Sequence, residues 1–227
     1  MSTLYLVATP IGNLGDLSPR AREILSTVDF IAAEDTRVTQ KLLTACELPR
    51  KPMISYYEHN RRARGEVVLE RMLGGETCAL VTDAGTPAVS DPGEDLVALC
   101  AEHDIPVIPV PGCCAAVCAL AASGLPTGRW CFEGFLSVNK KARREHLDAL
   151  EGEKRTMIFY EAPHKLCATL RDLAAVFGED RRLSLSRELT KLHEQTLRMT
   201  LGEAMRYFDE NPPRGEFVLI VEGAPDE

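Results

Sequence analysis

The chain lacks several features that would each assign it to a class of protein. Its longest strongly apolar stretch, residues 113–122, falls short of the roughly 20 residues needed to cross a bilayer. No charged leader with a cleavage site precedes the first strand-like run, so no secretory signal is indicated. Eight cysteines are present, but they form no C-x-x-C pair, which argues against a disulfide framework and a zinc site. We therefore expect reduced thiols in a cytoplasmic protein.

Familiar nucleotide-binding and catalytic signatures are also missing. There is no G-x-x-x-x-G-K-[ST] phosphate loop, no G-x-S-x-G elbow and no HExxH helix. The G-x-x-G at residues 12–15 differs from the G-x-G-x-x-G of dinucleotide sites. The S-x-x-K match at residues 137–140 fixes only two positions, and we attribute it to chance.

Charge narrows the class of partner. The 227 residues include 26 basic and 34 acidic side chains, for a formal net charge of −8. Such a chain is not held to nucleic acid by global charge, although a local basic patch remains an option.

Strand-like and helix-like periods alternate through the first half of the chain. Residues 4–9 form an almost continuous apolar run, typical of a strand buried on both faces. The repeated βα rhythm predicts a parallel sheet with helices on both faces. The turn-rich segment Ser123–Arg129 predicts a boundary, which gives an N-terminal domain of 1–123 and a C-terminal domain of 124–227 with a mixed sheet.

Three loops are candidates for ligand binding, because each follows a buried strand and precedes a helix. They span residues 9–16, 83–93 and 110–115. Parallel strands bring their carboxyl ends to one edge of a sheet, where open α/β folds bind ligands. Glycines let the backbone approach a ligand, prolines fix the turns, and helix starts offer free N–H groups. The alternative, that the loops are only connectors, fits the long 83–93 loop least well.

Two kinds of polar cluster add candidate chemistry. Residues 34–37 (EDTR) follow the second predicted strand and should lie at the same edge, unless they are only an ordinary acidic helix start. The run at 140–144 is the densest basic segment, and 61–64 is the next. Each is either a solvent-facing helix surface or a contact to a phosphate backbone.

At these loops the sequence resembles a known family. The segments LYLVATPIGNLGDL, AAEDTR, DAGTPAVSDPG and VPGCCAA, with IFYEAPH, RELTKLHE and GEFVLIVEG further along, closely resemble the ribosomal RNA small subunit methyltransferase I family. The resemblance runs from Leu4 to Gly223. That family lies in the tetrapyrrole methylase superfamily of class III methyltransferases, whose other members modify porphyrin precursors or diphthamide.

The resemblance implies an α/β fold of two domains, with a parallel sheet in the first, a mixed sheet in the second, and S-adenosylmethionine in the cleft between them. It implies 2′-O-methylation of a cytidine in the decoding region of 16S ribosomal RNA, small-subunit RNA as partner, no membrane partner and a homodimer. Cofactor contacts carried over by position are Pro10, Ile11, Gly12, Asp83, Ala84, Gly85, Thr86, Pro87, Val89, Ser90, Cys114, Ala115, Phe159 and Tyr160.

Methyl transfer from a sulfonium to a hydroxyl is an in-line displacement, so alignment should supply most of the rate. A base must also take the hydroxyl proton. The candidate bases are Glu34, Asp35 and Glu161, among which the motifs do not choose. The predicted RNA-binding residues are Arg37, Arg61, Arg62, Lys140, Lys141, Arg143 and Arg144.

Two further functions stay open at this point. One is methylation of a tetrapyrrole or another small acceptor, and the other is non-catalytic binding to the ribosome. The basic run at 140–144 favours RNA, whereas a roomy apolar pocket would favour a macrocycle. The chain departs from the usual family pattern at Cys113–Ala115 and at Ser137–Asn139. We expect these departures to affect RNA contacts more than the cofactor site.

Overall fold

The computed structural model describes residues 2–225. Three residues lie outside the described residues: Met1, which begins the first predicted domain, and Asp226 and Glu227, which end the second. The chain divides into two compact units between Cys114 and Ala115.

The first unit contains a parallel sheet with helices on both faces, as the sequence predicts. Its elements are β1 (Leu4–Val7), a 3-10 turn (Leu14–Asp16), α1 (Pro19–Thr27), β2 (Phe30–Ala33), α2 (Thr36–Ala45), β3 (Met53–Ser55), α3 (Arg61–Leu73), β4 (Cys78–Val81), α4 (Glu94–Glu102) and β5 (Val107–Val110). The strand order is β3-β2-β4-β1-β5, and every pairing is parallel. Strands β1, β4 and β5 are therefore neighbours.

Alternation along β2 divides the core of this unit into two layers. Ile31 and Ala33 pack with buried residues of α1 and α2. Phe30 and Ala32 pack with buried residues of α3 and α4. All four residues of β2 and of β4 are buried, because the sheet is covered on both faces.

The second unit contains a mixed sheet. Its elements are α5 (Ala115–Ala122), β6 (Trp130–Phe135), α6 (Lys140–Ala149), β7 (Thr156–Glu161), α7 (Pro163–Phe177), β8 (Arg182–Arg187), β9 (Gln195–Thr200), α8 (Leu201–Glu210) and β10 (Phe217–Val221). The order is β6-β7-β10-β8-β9. Only β6 and β7 run parallel, and the other neighbouring strands are antiparallel.

Helix α5 belongs to the second unit, whereas the sequence boundary left it in the first. The helix is almost wholly apolar (AAVCALAA) and packs against β7, β8 and β10. Arg198 of β9 also donates to the carbonyls of Ala122 and Ser123, at 2.5 and 3.2 Å. The turn formers at Ser123–Arg129 mark a change of chain direction, but the packing of α5 decides which unit it joins.

Among residues 2–225, no helix has both the length and the apolar character that a membrane span requires. Within the same range, no group of three or more His, Cys, Asp or Glu side chains could hold a metal ion.

Gly93, just before α4, should tolerate no side chain. Its φ is +144°, and an added Cβ would lie 2.7 Å from Leu80 Cδ2 and 3.2 Å from Ala88 Cβ. We predict that Gly93→Ala lowers the free energy of unfolding by about 2–3 kcal/mol, because strain and overpacking add. Gly128→Ala is the control, since an added Cβ there meets nothing within 4 Å. Urea unfolding measures the stability of both variants. Equal stability of Gly93→Ala and Gly128→Ala would contradict the close contacts described at Gly93.

Candidate functional site

The three candidate loops are linked to one another at the carboxyl edge of the first sheet. Thr9 and Gly85 form an antiparallel bridge, with N···O distances of 2.8 and 3.1 Å. The Thr86 hydroxyl donates to the Cys113 carbonyl at 2.9 Å. The loop after β4 is therefore joined to the loop after β1 and to the loop after β5, and the three form one rigid edge.

The loop at 83–93 has an unusual backbone. Gly85 and Gly93 have φ values of +91° and +144°, and the non-glycine residues Ala88 and Ser90 have φ values of +66° and +65°. Non-glycine residues in this region are strained, and such strain clusters at functional sites. The bridge to Thr9 and the bond to Cys113 are among the contacts that hold this conformation.

This edge combines a closely packed glycine with residues that have accessible surface. Gly112 packs so tightly that an added Cβ would lie 2.8 Å from Ala8 Cβ. Of the predicted cofactor contacts, those with accessible surface in this unit are Pro10, Ile11, Gly12, Asp83, Ala84, Thr86, Val89, Ser90 and Cys114. Gly85 and Pro87 are buried, so we infer that they set the conformation of the loop and do not contact a cofactor directly. Ala115 begins α5 of the second unit.

Carboxylates collect beside this edge. The Asp35 N–H donates to Asp83 Oδ1 and the Asp83 N–H donates to Glu34 Oε2, both at 3.2 Å. Glu34 follows β2, which neighbours β4 in the sheet. This reciprocal pair brings the predicted residues 34–37 to the candidate loops, as the strand order requires.

Burial raises the pKa values of three carboxyl groups in this cluster. For Glu34 and Asp83, desolvation is the largest cause, and neighbouring carboxylates add to it. Burial, together with the charges of Glu34 and Asp83, raises the pKa of Asp91 to about 7. The sequence analysis missed Asp91 as a titrating group. Its place in the DAGTPAVSDPG segment was the available signal, but burial cannot be read from a motif.

Asp35 is poorly suited to act as a base. It is the N-cap of α2, where its carboxylate accepts the Arg37 N–H at 2.8 Å. The Arg37 guanidinium binds the same carboxylate through Nε and Nη2, at 3.0 and 2.6 Å. This side-chain hydrogen bonding lowers the pKa of Asp35. Arg37 itself stays solvent-exposed, so a contact with RNA remains a prediction for it.

In the second unit, Tyr160 and Phe159 face opposite sides of the sheet. Tyr160 is partly exposed and lies among Phe132 and Phe135, with ring centroids 5.1 and 5.5 Å away. Its hydroxyl accepts the Ala116 N–H at 3.1 Å. Phe159 has no exposed surface and packs in the hydrophobic core. Phe159 is therefore a core residue, which argues against the predicted contact with a cofactor.

Glu161 and Arg143 belong to one buried polar network. Glu161 accepts the Thr169 hydroxyl through Oε2 and the Ala162 N–H through Oε1. Arg143 donates to the same Thr169 hydroxyl at 3.0 Å and lies 2.6 Å from Asp172. Glu161 is 3% exposed and Arg143 8%. Their burial argues against Glu161 as a base and against Arg143 as a contact to RNA.

The other cations of α6 remain on the surface. Lys140, Lys141 and Arg144 are exposed. Lys141 pairs with Glu145 at 3.7 Å and Arg144 with Asp148 at 2.7 Å. Exposed pairs of this kind hold side chains weakly, so these cations are free to rearrange toward a phosphate.

The second basic segment lies at the start of α3. Arg61 is near Glu58 and Asp95, at 3.3 and 3.8 Å. Arg62 is exposed. The segment follows β3, the edge strand of the first sheet.

Comparisons with known proteins place this arrangement in a class. The tetrapyrrole (corrin/porphyrin) methylase family model matches residues 3–205. Among solved structures, uroporphyrin-III-C-methyltransferase from Thermus thermophilus has a TM-score of 0.67 at 20% identity, over 96% of this chain and 93% of that one. The same kind of enzyme complexed with S-adenyl homocysteine has a TM-score of 0.64 at 17% identity, over 96% of both chains. The fold is that of a tetrapyrrole methylase.

Sequence relatives make the assignment narrower. Ribosomal RNA small subunit methyltransferase I of Synechocystis sp. is 55% identical over 100% of this chain and 81% of that protein. The protein of the same name from Escherichia coli O157:H7 is 49% identical over 97% of this chain and 77% of its own length. The chain belongs to the ribosomal RNA small subunit methyltransferase I family.

Burial of Asp91 predicts a pH-dependent effect on stability. Its folded-state pKa of about 7 exceeds the ordinary aspartate pKa of 3.8, so the stability that Asp91 contributes below pH 4 is lost as the pH rises through 7. Asp91→Asn should therefore be more stable than the wild type at pH 8, by about 1–2 kcal/mol after discounting for solvent screening. The gain should shrink below pH 7 and vanish near pH 4. Urea unfolding across this range tests it, and a gain independent of pH would contradict the assignment.

Proposed function

We propose that the protein transfers a methyl group from S-adenosylmethionine to the 2′-hydroxyl of a cytidine ribose in the decoding region of 16S ribosomal RNA. The observation that carries this proposal is the linked edge of glycine- and proline-rich loops, in a chain 55% identical to a relative named for small-subunit ribosomal RNA. The ribose position and the nucleotide rest on the resemblance of the motifs. Such a substrate would place the enzyme in the cytoplasm, and the homodimer stays a prediction.

The residues of the edge fit the proposed cofactor. S-adenosylmethionine, when bound, supplies an electrophilic methyl group on a cationic sulfonium. Residues 10–12 and 83–84 would hold it, since they have accessible surface in the loops that follow β1 and β4. The carboxylates of Glu34, Asp83 and Asp91 make this edge negative, which suits a ligand with a cationic centre. Because the loops are fixed to one another, the alignment needed for displacement is built in before binding.

Glu34 and Asp91 are the residues that we propose for accepting the hydroxyl proton. Asp35 is held by Arg37, and Glu161 is buried with both oxygens engaged. Glu34 and Asp91 keep raised pKa values, so they take up a proton more readily near neutral pH than ordinary carboxylates do.

The RNA contact that we propose uses Lys140, Lys141 and Arg144. They lie in the first turns of α6, where cations oppose the helix dipole and gain no local stability from it. Asn139 caps the helix start by accepting the Lys141 and Ala142 N–H groups, at 3.0 and 3.2 Å, so the attraction for a polyanion comes from these exposed side chains.

The direct test is methyl transfer from labelled S-adenosylmethionine to intact small subunits, with the modified nucleotide mapped. Free ribosomal RNA and a porphyrinogen serve as the other acceptors. Transfer to a ribose of the decoding region is expected. Transfer to the porphyrinogen alone would support the small-acceptor alternative, and no transfer despite binding to the subunit would support a non-catalytic ribosome-binding protein.

If Asp91 accepts the proton, its removal should change the pH profile of the rate. We expect Asp91→Asn, at a cofactor concentration that calorimetry shows to be saturating for the variant, to lower the single-turnover rate at least roughly tenfold and to abolish its rise toward pH 7. Glu34→Gln tests the other candidate in the same assay. Glu94→Gln, an exposed carboxylate at the start of α4, is the matched control. Normal rates and pH profiles in both Asp91→Asn and Glu34→Gln would rule out both residues as the proton acceptor.

Reversing the exposed cations of α6 should weaken binding to RNA. We predict that the double variant Lys141→Glu and Arg144→Glu loses affinity and reduces the slope of log K against log salt by about 1–2. The control is Arg171→Glu with Arg206→Glu, which changes net charge equally with exposed residues of α7 and α8. An unchanged slope, or an equal loss in the control pair, would remove α6 from the RNA-binding surface.

A further inference from the structure

The connection between β3 and α3 presents an aromatic ring to solvent beside basic residues. Tyr57 is 41% exposed, whereas Tyr56, next to it, is 1% exposed. The His59 ring lies edge-on to Tyr57, with centroids 6.4 Å apart and planes at 85°. Residues 57–62 contain the exposed ring, the imidazole and two arginines, and we call them the Tyr57 turn.

The Tyr57 turn is held in place by its own hydrogen bonds. Asn60 Oδ1 accepts the Tyr57 N–H at 2.9 Å, and Asn60 Nδ2 donates to the Ser55 carbonyl at 3.1 Å. The Asn60 N–H also donates to the Tyr57 carbonyl at 2.9 Å. Below the turn, the buried Tyr56 hydroxyl donates to Asp95. A ring presented on a fixed turn loses little conformational freedom when a ligand stacks on it.

A groove at the start of α3, lined in part by His59, carries an arginine that has no carboxylate at ion-pair distance among the described residues. His59, Asn60, Arg62, Ala63 and Glu66 line this groove at the start of α3. Arg62 and Arg64 are exposed, and within residues 2–225 neither has a carboxylate at ion-pair distance. Asn60 makes no side-chain cap, so the first amides of α3 lack that partner. The opposing charges are Glu66, Glu58 and Asp95, of which Glu58 and Asp95 are paired with Arg61.

We propose that the Tyr57 turn binds an unpaired nucleotide of the RNA substrate. The base stacks on Tyr57, with His59 at its edge, and the adjoining phosphate lies against Arg62 and the start of α3. Stacking on an aromatic side chain needs a base that is free on one face, which a continuous duplex does not offer. This inference rests on the proposed function, because it names the form of RNA that the same edge of the first unit recognises.

The position of the turn distinguishes this nucleotide from the methyl acceptor. β3 is separated from β4 by β2 and from β1 by β2 and β4. At about 4.8 Å per strand, the turn is roughly 10–15 Å from the loops that follow β4 and β1. We therefore infer that the nucleotide stacked on Tyr57 is not the methyl acceptor but lies near it along the RNA chain. Its binding would fix the register of the RNA on the protein.

Fluorescence anisotropy with a labelled single-stranded RNA of about ten mixed nucleotides tests the proposal. The same strand annealed to its complement is the second probe. We expect Tyr57→Ala to weaken binding of the single strand about 5- to 100-fold and to leave duplex binding unchanged, while Tyr57→Phe stays near the wild type. Trp130→Ala, which removes an exposed ring from β6, is the matched control and should not change the affinity. Arg62→Gln should reduce the salt slope by about one.

Three results would overturn the inference: wild-type affinity in Tyr57→Ala, an equal loss in Tyr57→Phe, or an equal loss for single strand and duplex. Because Tyr57 is exposed, its variants should fold, and a thermal melt checks this. Methyl transfer to small subunits, measured in parallel, separates the two proposals. Tyr57-dependent binding without methyl transfer would defeat the proposed function alone, and methyl transfer with normal binding by Tyr57→Ala would defeat the Tyr57 turn alone.

Discussion

The bridge between Thr9 and Gly85 is the interaction on which the candidate site depends. Loops after parallel strands have no hydrogen-bonding partner supplied by the sheet, so their positions must be fixed by other contacts. The two N–H···O bonds of this bridge, extended by Thr86 to Cys113, connect the ends of three neighbouring strands. Without them, the left-handed backbone at Ala88 and Ser90 would have fewer contacts to sustain it.

The same edge concentrates carboxylates at a cost in desolvation and in mutual repulsion. Burial raises the pKa values of Glu34, Asp83 and Asp91, and the charges of neighbouring carboxylates add to each increase. A stability-driven sequence would avoid this arrangement, and violations of local rules are expected at functional sites. Glu34 and Asp83 each accept one backbone N–H, but Asp91 is placed with them at a further cost, so we infer that a cationic ligand or a proton to be accepted explains the cluster better than folding alone.

The sequence predicted the elements well and the burial of single residues poorly. The predicted parallel sheet and mixed sheet are both present, because apolar runs such as FIAA and CALV are unambiguous when a sheet is covered on both faces. In β7, by contrast, the run TMIFYE does not show which alternate residues face the core, so Phe159 and Tyr160 looked equivalent. Arg143 looked like any member of a basic run, although its spacing of four from buried Leu147 placed it on the inner face of α6.

An acidic chain can bind a polyanion only where local potential outweighs net charge. Both surfaces that we assign to RNA lie at helix starts, α6 in one unit and α3 in the other, and both collect cations where the helix dipole disfavours them. Exposed Lys and Arg side chains that lie close together there add to one another, so few residues create a steep local field. The remaining acidic surface then repels RNA held in other orientations. A net charge of −8 is therefore compatible with RNA binding and favours a defined orientation over non-specific adhesion.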